Sequence, residues 1–227
     1  MPDTKLTWPA LREHLRTHLA IYIACVVLML VLTSLLWSVT EPRIPTDRSV
    51  VICLADDVTV AETLDGVAAR VLERARALDD TLEAVSFQNL MYQNQSEGGY
   101  GEMLLMVRMA AGEIDAFLAG PEAMEYLVAA GGLMPLDDHA ARGWLSEYNL
   151  EPCYATIEDD ETGKTGRFLA GFRLDSIDEL SEMGAMNNEG AYLAVAANSD
   201  NPETTLEVID ILLDELTKEA ANDQPED

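Results

Sequence analysis

The chain has 227 residues, of which 41 are acidic and 14 are basic, and its formal net charge at pH 7 is −27. From Ser49 to the end, 37 acidic and 9 basic residues give a net charge of −28. A field of this sign repels phosphate backbones, so the composition argues against a nucleic-acid partner. The acidity otherwise fits solubility or adaptation to salt, with attraction of a cationic or metal-bearing partner as the alternative.

One uncharged apolar run, Leu19–Val39, dominates the N-terminal part of the chain. At about 1.5 Å per residue it forms roughly 31 Å of helix, which matches the hydrocarbon core of a bilayer. Tyr22 and Trp37 lie near its two ends, where amphipathic rings prefer the headgroup level. We therefore predict a transmembrane helix over residues 19–39 rather than a buried helix of a soluble protein.

The charges around this run predict its orientation. Three basic residues precede it and two follow it, namely Lys5, Arg12, Arg16, Arg43 and Arg48. Positive charge favours the cytoplasmic side, so we expect an uncleaved signal anchor in the cell membrane, with the N-terminus inside and the bulk of the chain extracytoplasmic. A cytoplasmic-facing domain is the alternative. The predicted organisation is a cytoplasmic basic tail over 1–18, the membrane helix over 19–39, a linker over 40–49, an α/β domain over 50–220 and an acidic tail over 221–227.

The predicted domain begins with the apolar run Val50–Leu54, which is typical of a strand buried on both faces. Asp57 or Thr59 could cap the helix expected after it. The elements that follow are a helix to about residue 78, a strand over 81–90, a polar loop over 91–101, a helix over 102–111, a strand over 113–119 and a helix over 122–130. This alternation predicts parallel strands joined by right-handed crossovers.

The second half of the domain has a different pattern. Strands predicted over 153–158 and 167–174 surround a turn, which is typical of a hairpin. The remaining predicted elements are a short helix over 175–183, a buried strand over 192–197 and a terminal helix over 202–219. Cys53 and Cys153 could form a disulfide outside the cell, with buried free thiols as the alternative.

Four segments carry a resemblance to a known family: Tyr100–Ala110, Ala111–Leu118, Tyr126–Asp138 and Ala194–Leu213. In order and context they resemble the extracytoplasmic solute-binding proteins of ABC importers. There a helix ends in Ala-Gly, a strand follows, a later helix leads into a Leu-Pro-Leu-Asp-Asp turn, and an Asn-Pro-Glu sequence begins a late amphipathic helix.

The chain is about half as long as such proteins, and it looks more like a compact group of membrane-anchored bacterial proteins with a reduced solute-binding-like domain. In that group Gly171–Ser176 would correspond to a strand leading into a short helix. The resemblance implies an α/β fold of the periplasmic-binding-protein type II kind, with a mainly parallel sheet. It does not imply import, because the missing length is where a complete second lobe should lie.

The predicted elements place several polar side chains where a ligand would bind, since open α/β sheets bind ligands beyond the carboxyl ends of their strands. The predicted ligand-binding residues are Asp56, Asp57, Asn89, Tyr92, Asn94 and Tyr100. Aromatic and amide groups suit sugars or peptides, and carboxylates suit cationic groups. The alternative is that the two aspartates cap a helix and the tyrosines cover a loop.

Other patterns give weaker indications. Met103, Met106 and Met109 fit core or groove packing better than a soft-metal site, and Asp159–Glu161 fits a solvated turn better than a calcium site. The sequence holds no catalytic or phosphate-binding motif. We therefore expect a protein without enzymatic activity, cofactor or metal.

The function that these expectations favour is a membrane-tethered binding module of the solute-binding type, associated with an ABC transporter and holding a small molecule or a peptide. The alternative is a structural or assembly subunit that docks on a membrane transporter or another membrane protein complex.

Overall fold

The computed structural model describes residues 8–40, 44–92, 99–137, 143–158 and 165–222. Its internal contacts divide the chain into two compact units, Met1–Arg43 and Ile44–Asp227. The described part of the first unit is one helix, α1, which begins at Trp8 and ends at Thr40. Residues 8–18 of the predicted basic tail and the apolar run therefore belong to a single helix.

Within α1, the stretch Arg16–Trp37 has a mean hydropathy of 2.8 and is long and apolar enough to cross a membrane. This judgement rests on length and composition, and an N-terminal signal sequence would meet the same criterion.

The second unit contains six strands, six α-helices and two 3₁₀ helices among its described residues. The strands are β1 (Ser49–Asp56), β2 (Ala84–Met91), β3 (Ala116–Ala119), β4 (Glu151–Glu158), β5 (Thr165–Arg173) and β6 (Tyr192–Val195). The α-helices are α2 (Asp65–Ala75), α3 (Tyr100–Ala110), α4 (Pro121–Ala129), α5 (Trp144–Glu147), α6 (Glu179–Glu182) and α7 (Pro202–Asn222). Two short 3₁₀ helices, Thr46–Arg48 and Ala61–Leu64, flank β1.

All six strands form one sheet in the order β2-β1-β3-β6-β5-β4. β1 is parallel to both β2 and β3, whereas β6 is antiparallel to β3 and to β5, and β4 is antiparallel to β5. The α/β class is confirmed, and the expectation of a mainly parallel sheet is wrong. The parallel half is built by crossover helices, while the β4–β5 hairpin and the returning strand β6 make the other half antiparallel.

The sheet is buried on both faces. Successive residues of β1 point to opposite sides of the sheet, and both sets of side chains join apolar clusters. Ile52 and Leu54 join one apolar cluster, which α2, α6 and α7 cover. Cys53 and Ala55 join the other cluster, which α3 and α4 cover. This double burial explains the continuous apolar run at the start of the predicted domain.

Within the antiparallel half of the sheet, β5 and β6 pair over a short length. These two strands pair at Phe172 and Arg173 of β5. Farther along, the segment 133–136 lies between them. Met134 N–H donates to Val195 O of β6, and Leu136 N–H donates to Leu169 O of β5, each at 2.9 Å. Where β5 approaches β6, a Cβ on Gly171 would overlap the Leu193 carbonyl group and lie 3.3 Å from the Ala194 Cβ. A glycine is therefore required for the close approach.

The α-helix after β1 begins later in the chain than the sequence predicts. Ala61–Leu64 forms the 3₁₀ helix, and α2 begins only at Asp65. The N-cap residues are Val60 and Leu64, and neither makes a side-chain capping hydrogen bond. The alternative role proposed above for Asp56 and Asp57, capping this helix, is therefore wrong.

Candidate binding site at the carboxyl edge of the sheet

Four strands end at one edge of the sheet, which we call the carboxyl edge. β1, β2 and β3 are mutually parallel, and β5 runs in the same direction because both β3 and β5 are antiparallel to β6. The strand register aligns a row of residues near this edge in the order Ala55, Ala119, Tyr192, Arg173 and Glu151.

The parallel half has a topological switch point at this edge. From β1 the chain passes through α2 to β2 on one side, and from β2 it passes through α3 to β3 on the other side of β1. The helices lie on opposite faces, since α2 packs into one apolar cluster and α3 into the other. A crevice outside β1 and β3 is where such sheets bind ligands.

Asp56 and Gly120 lie together at this switch point. A Cβ on Gly120 would lie only 2.7 Å from Asp56 Cγ, so a glycine is required for the carboxylate to lie against the start of α4. Burial raises the pKa of Asp56, although the hydrogen bond that its Oδ1 accepts from Asp57 N–H, 2.8 Å long, opposes that rise. A half-buried carboxylate in this position suits a cationic group better than an anion.

The structure gives the other predicted residues different surroundings. Asn89 holds the first 3₁₀ turn after β1: its Oδ1 accepts the Ala61 N–H at 2.6 Å, and its Nδ2 donates to Glu62 Oε2 at 3.3 Å. Asp57 is exposed beside Asp56, and the side chain of Tyr100 is 67% exposed at the start of α3. Asn94 lies outside the described residues.

Tyr92 is buried against α3 and α4 rather than exposed at the edge. Its backbone N–H donates to Asp56 O at 3.0 Å, and its ring centroid lies 6.2 Å from that of Tyr126. Burial first, and then the nearby charge of Glu102, raises the pKa of Tyr92 to about 12. The hydroxyl is therefore a neutral donor, 3.5 Å from Glu102 Oε1.

A cavity of about 440 Å³ lies at the antiparallel half of the carboxyl edge. Its lining residues are Asn149, Leu150, Glu151, Arg173, Asp175 and Ser176. None of the predicted ligand-binding residues lines this cavity, although the segment Gly171–Ser176 contributes Arg173, Asp175 and Ser176 to it. The sequence signal for the site is the pair of opposite charges at the end of the strand, Arg173 and Asp175, but only the pairing of β4 with β5 places Glu151 beside them.

The charged side chains that line this cavity form ion pairs with one another. Arg173 Nε lies 2.6 Å from Asp175 Oδ2, and Arg173 Nη1 lies 3.9 Å from Glu151 Oε2. The Gly190 N–H donates to Asp175 Oδ1 at 2.7 Å. That hydrogen bond, followed by the guanidinium of Arg173, holds the pKa of Asp175 below its usual range. The lining thus carries two carboxylates and one guanidinium, a net charge of −1, together with amide and hydroxyl groups.

The thiols and the acidic side chains are the other groups in the described part of the chain at which chemistry could occur. Cys53 and Cys153 are free thiols. Burial raises the pKa of Cys53 to about 12 and also raises that of Cys153, so both remain protonated at neutral pH. Within residues 8–40, 44–92, 99–137, 143–158 and 165–222, no group of three or more His, Cys, Asp or Glu residues could hold a metal ion. Asp159–Glu161, the candidate calcium segment, lies outside those ranges.

The chain matches no protein-family model, and no curated protein matches it. Among solved structures it is similar to a chain described as the substrate-binding domain of a molybdenum ABC transporter from Clostridium difficile. The similarity covers 75% of this chain and 96% of that chain, with 11% sequence identity and a TM-score of 0.35. Similarity at this level assigns neither a family nor a ligand.

Proposed function

We propose that this protein is a membrane-tethered, extracytoplasmic binding module of the solute-binding type, which holds a ligand without transforming it. The observation that carries the proposal is the polar cavity at the carboxyl edge of the sheet, lined by Arg173, Asp175 and Glu151. Ligands of open α/β sheets bind beyond that edge, and the cavity's volume is within the range of small-molecule sites.

The tether is supported by the apolar stretch Arg16–Trp37 of α1. The basic residues that precede it favour a cytoplasmic N-terminus, which would leave the second unit outside the cytoplasm. Protease added to intact protoplasts should then degrade residues 44–227 while sparing α1, and alkaline carbonate should leave the chain in the membrane. Release by carbonate would contradict the tether, and full protection from protease would contradict the orientation.

The binding role is tested by thermal unfolding of the full chain in micelles with panels of sugars, amino acids, short peptides and divalent cations. A ligand at 100 times its Kd stabilises the folded state by about 2.7 kcal/mol, which is a measurable shift in Tm. A panel in which no compound raises the Tm would count against a small-molecule ligand.

Matched variants locate the site of any compound that binds. Glu151→Gln should change its affinity, because Glu151 lines the cavity. Arg167→Ala serves as the control on the same hairpin, since the Arg167 guanidinium lies 4.0 Å from the centroid of the Tyr154 ring and does not line the cavity. Asp56→Asn tests the switch point separately. A compound that responds only to Asp56→Asn would move the site to the crevice between β1 and β3.

The second candidate function is a subunit that docks on a membrane protein complex. The observation that favours it is the exposed apolar side of α3, where Tyr100, Met103, Met106 and Val107 are each more than half exposed. Crosslinking in native membranes separates the two functions. A stoichiometric protein partner that persists after Glu151→Gln and Asp56→Asn would favour docking over ligand capture.

A further inference from the structure

Helix α3 is apolar on the side that faces away from the sheet. The exposed fractions of its outer side chains are 67% for Tyr100, 58% for Met103, 52% for Met106 and 58% for Val107. With about 100° between successive residues, these four positions span roughly 120° of the helix circumference. We call these four residues the α3 outer face. The predicted packing of the methionines thus holds for Met109, which is buried, but not for Met103 or Met106.

The exposure does not arise from loose seating of the helix. On the opposite side, Leu105 and Met109 are buried in the cluster shared with α4. The Met109 carbonyl accepts a hydrogen bond from Asn198 Nδ2, and Glu113 N–H donates to Arg108 O at 3.0 Å. A Cβ on Gly132 would lie 3.1 Å from Met109 Sδ, so the buried side is already closely packed. Because a surface helix normally has a polar outer side, an apolar one indicates a missing partner.

The charged side chains around the α3 outer face indicate which class of partner could bind there. Glu102 lies on one flank, and on the other Arg108 lies 3.9 Å from Glu113 Oε2. On the neighbouring helix α4, the exposed Glu122 lies close enough that its charge, like that of Glu102, raises the pKa of Tyr92. The rim is therefore predominantly acidic, in a part of the chain whose net charge is −28.

This rim disfavours two occupants. Helices that lie on membranes carry Lys and Arg around their apolar side, whereas α3 has one basic residue, which is beside a carboxylate. A second copy of the chain would bring two strongly acidic bodies together at a cost in like-charge repulsion. A protein surface that presents apolar side chains bordered by Lys and Arg complements both the shape and the charge.

We propose that the α3 outer face is a docking surface for a partner protein with an apolar, basic-rimmed binding surface. Met103, Met106 and Val107 supply the buried centre of that interface, and the carboxylates of α3 and α4 orient the partner. The surface is separate from the cavity, because α3 covers the β2 end of the sheet whereas the cavity lies at β4 and β5. Both sites can therefore operate in the same molecule.

The test uses the full chain in micelles with a photo-crosslinking residue, p-benzoylphenylalanine, in place of Val107. The probe is a synthetic 18-residue amphipathic helix of Leu and Lys, and its charge-reversed counterpart contains Glu in place of Lys. The matched control carries the same crosslinker in place of Leu78, an apolar side chain that is 68% exposed after α2. We expect roughly tenfold more Leu/Lys crosslink at position 107 than at position 78, and none of the Leu/Glu peptide.

Met103→Ser with Met106→Ser should reduce the crosslink at position 107 to the level of the control position. Both side chains are exposed, so the variant should keep the thermal unfolding profile of the parent chain. Equal crosslinking at positions 107 and 78 would overturn the proposal as non-specific charge attraction. Crosslinked dimers of the chain would assign the face to a second copy, and adducts with the acyl chains of the micelle in place of the peptide would assign it to the membrane; either result also overturns the proposal.

Discussion

The helices that cover the two faces of the sheet have different side chains on their solvent sides. On one face, α2 and α7 bury their apolar sides, and their solvent sides are joined by ion pairs. Arg74 Nη1 and Nη2 lie 2.5 Å and 2.6 Å from Glu215 Oε1 and Asp214 Oδ2, and Arg70 Nε lies 3.0 Å from Glu215 Oε2. On the other face, α3 buries Leu105 but leaves apolar side chains in water. The first face is covered by helices joined through ion pairs, whereas the second presents the α3 outer face, our proposed docking surface.

This contrast separates stability from recognition. A buried apolar side chain stabilises the fold by about 1.5–3 kcal/mol relative to an exposed one. An exposed apolar side chain contributes little until a partner covers it. Substitutions on the first face should therefore change the free energy of unfolding, and matched substitutions on the α3 outer face should change binding instead.

The largest expected effect follows from truncating the core beneath α7. Phe172 is fully buried, and its ring centroid lies 5.5 Å from that of Trp144. Phe172→Ala should lower the free energy of unfolding by about 3–5 kcal/mol, because it removes apolar contacts and leaves a cavity. Met106→Ala on the α3 outer face should change it by less than about 0.5 kcal/mol. Urea unfolding of both full-length variants checks the pair, and similar losses would show that the two faces do not differ.

The next effect tests the close approach of β5 to β6 within the antiparallel half. Gly171→Ala should lower the free energy of unfolding by about 1–3 kcal/mol, since the new methyl group would overlap the Leu193 carbonyl. Gly166→Ala is the control on the same strand, where a Cβ would meet nothing within 4 Å. Thermal unfolding measures both variants. If Gly171→Ala is as stable as Gly166→Ala, the close packing of β5 on β6 is not required.

Local sequence pattern predicted much of this fold. The apolar run at Val50–Leu54, the β4–β5 hairpin and the amphipathic α7 all show periodicity within one element, and the structure contains all three. The antiparallel entry of β6 escaped prediction because strand direction depends on a partner, β3, that lies far away in the chain.

The candidate site was less predictable for the same physical reason. Asp56 was placed correctly at the end of β1, whereas Asn89 and Tyr92 turned inward to hold Ala61 and to join the core. The Arg173 cavity depends on the register of β4, β5 and β6, which no short window of sequence contains. A mostly apolar helix such as α3 predicts burial, and sequence alone does not show that one side remains exposed.

The smallest expected effect concerns the ion pairs on the solvent sides of the helices that cover the two faces. Hydrogen bonding by Lys218, followed by Arg74, lowers the pKa of Asp214. For Glu215, burial raises the pKa, but the hydrogen bonds of Arg74 and Arg70 outweigh burial and lower it. Because both carboxyl groups have a lower pKa when folded, their contribution to stability is present above the unfolded-state pKa of about 4 and is lost as the pH falls below it.

Arg74→Ala should therefore cost about 1 kcal/mol at pH 7, a modest value because the Arg74 side chain is 40% exposed and solvent screens the pairs. The difference from the parent chain should shrink as the pH falls from about 4 through the lower folded-state pKa, because the carboxyl groups become protonated first in the unfolded state and then in the folded state. Arg108→Ala on α3 is the matched control, with a single 3.9 Å pair to an exposed carboxylate, and should cost less at every pH. Urea unfolding from pH 3 to pH 7 measures both variants. A loss for Arg74→Ala that is independent of pH would mean that packing of the arginine's alkyl part, and not its charge, stabilises the α2–α7 contact. The ion pairs on this face would then contribute nothing to the free energy of unfolding.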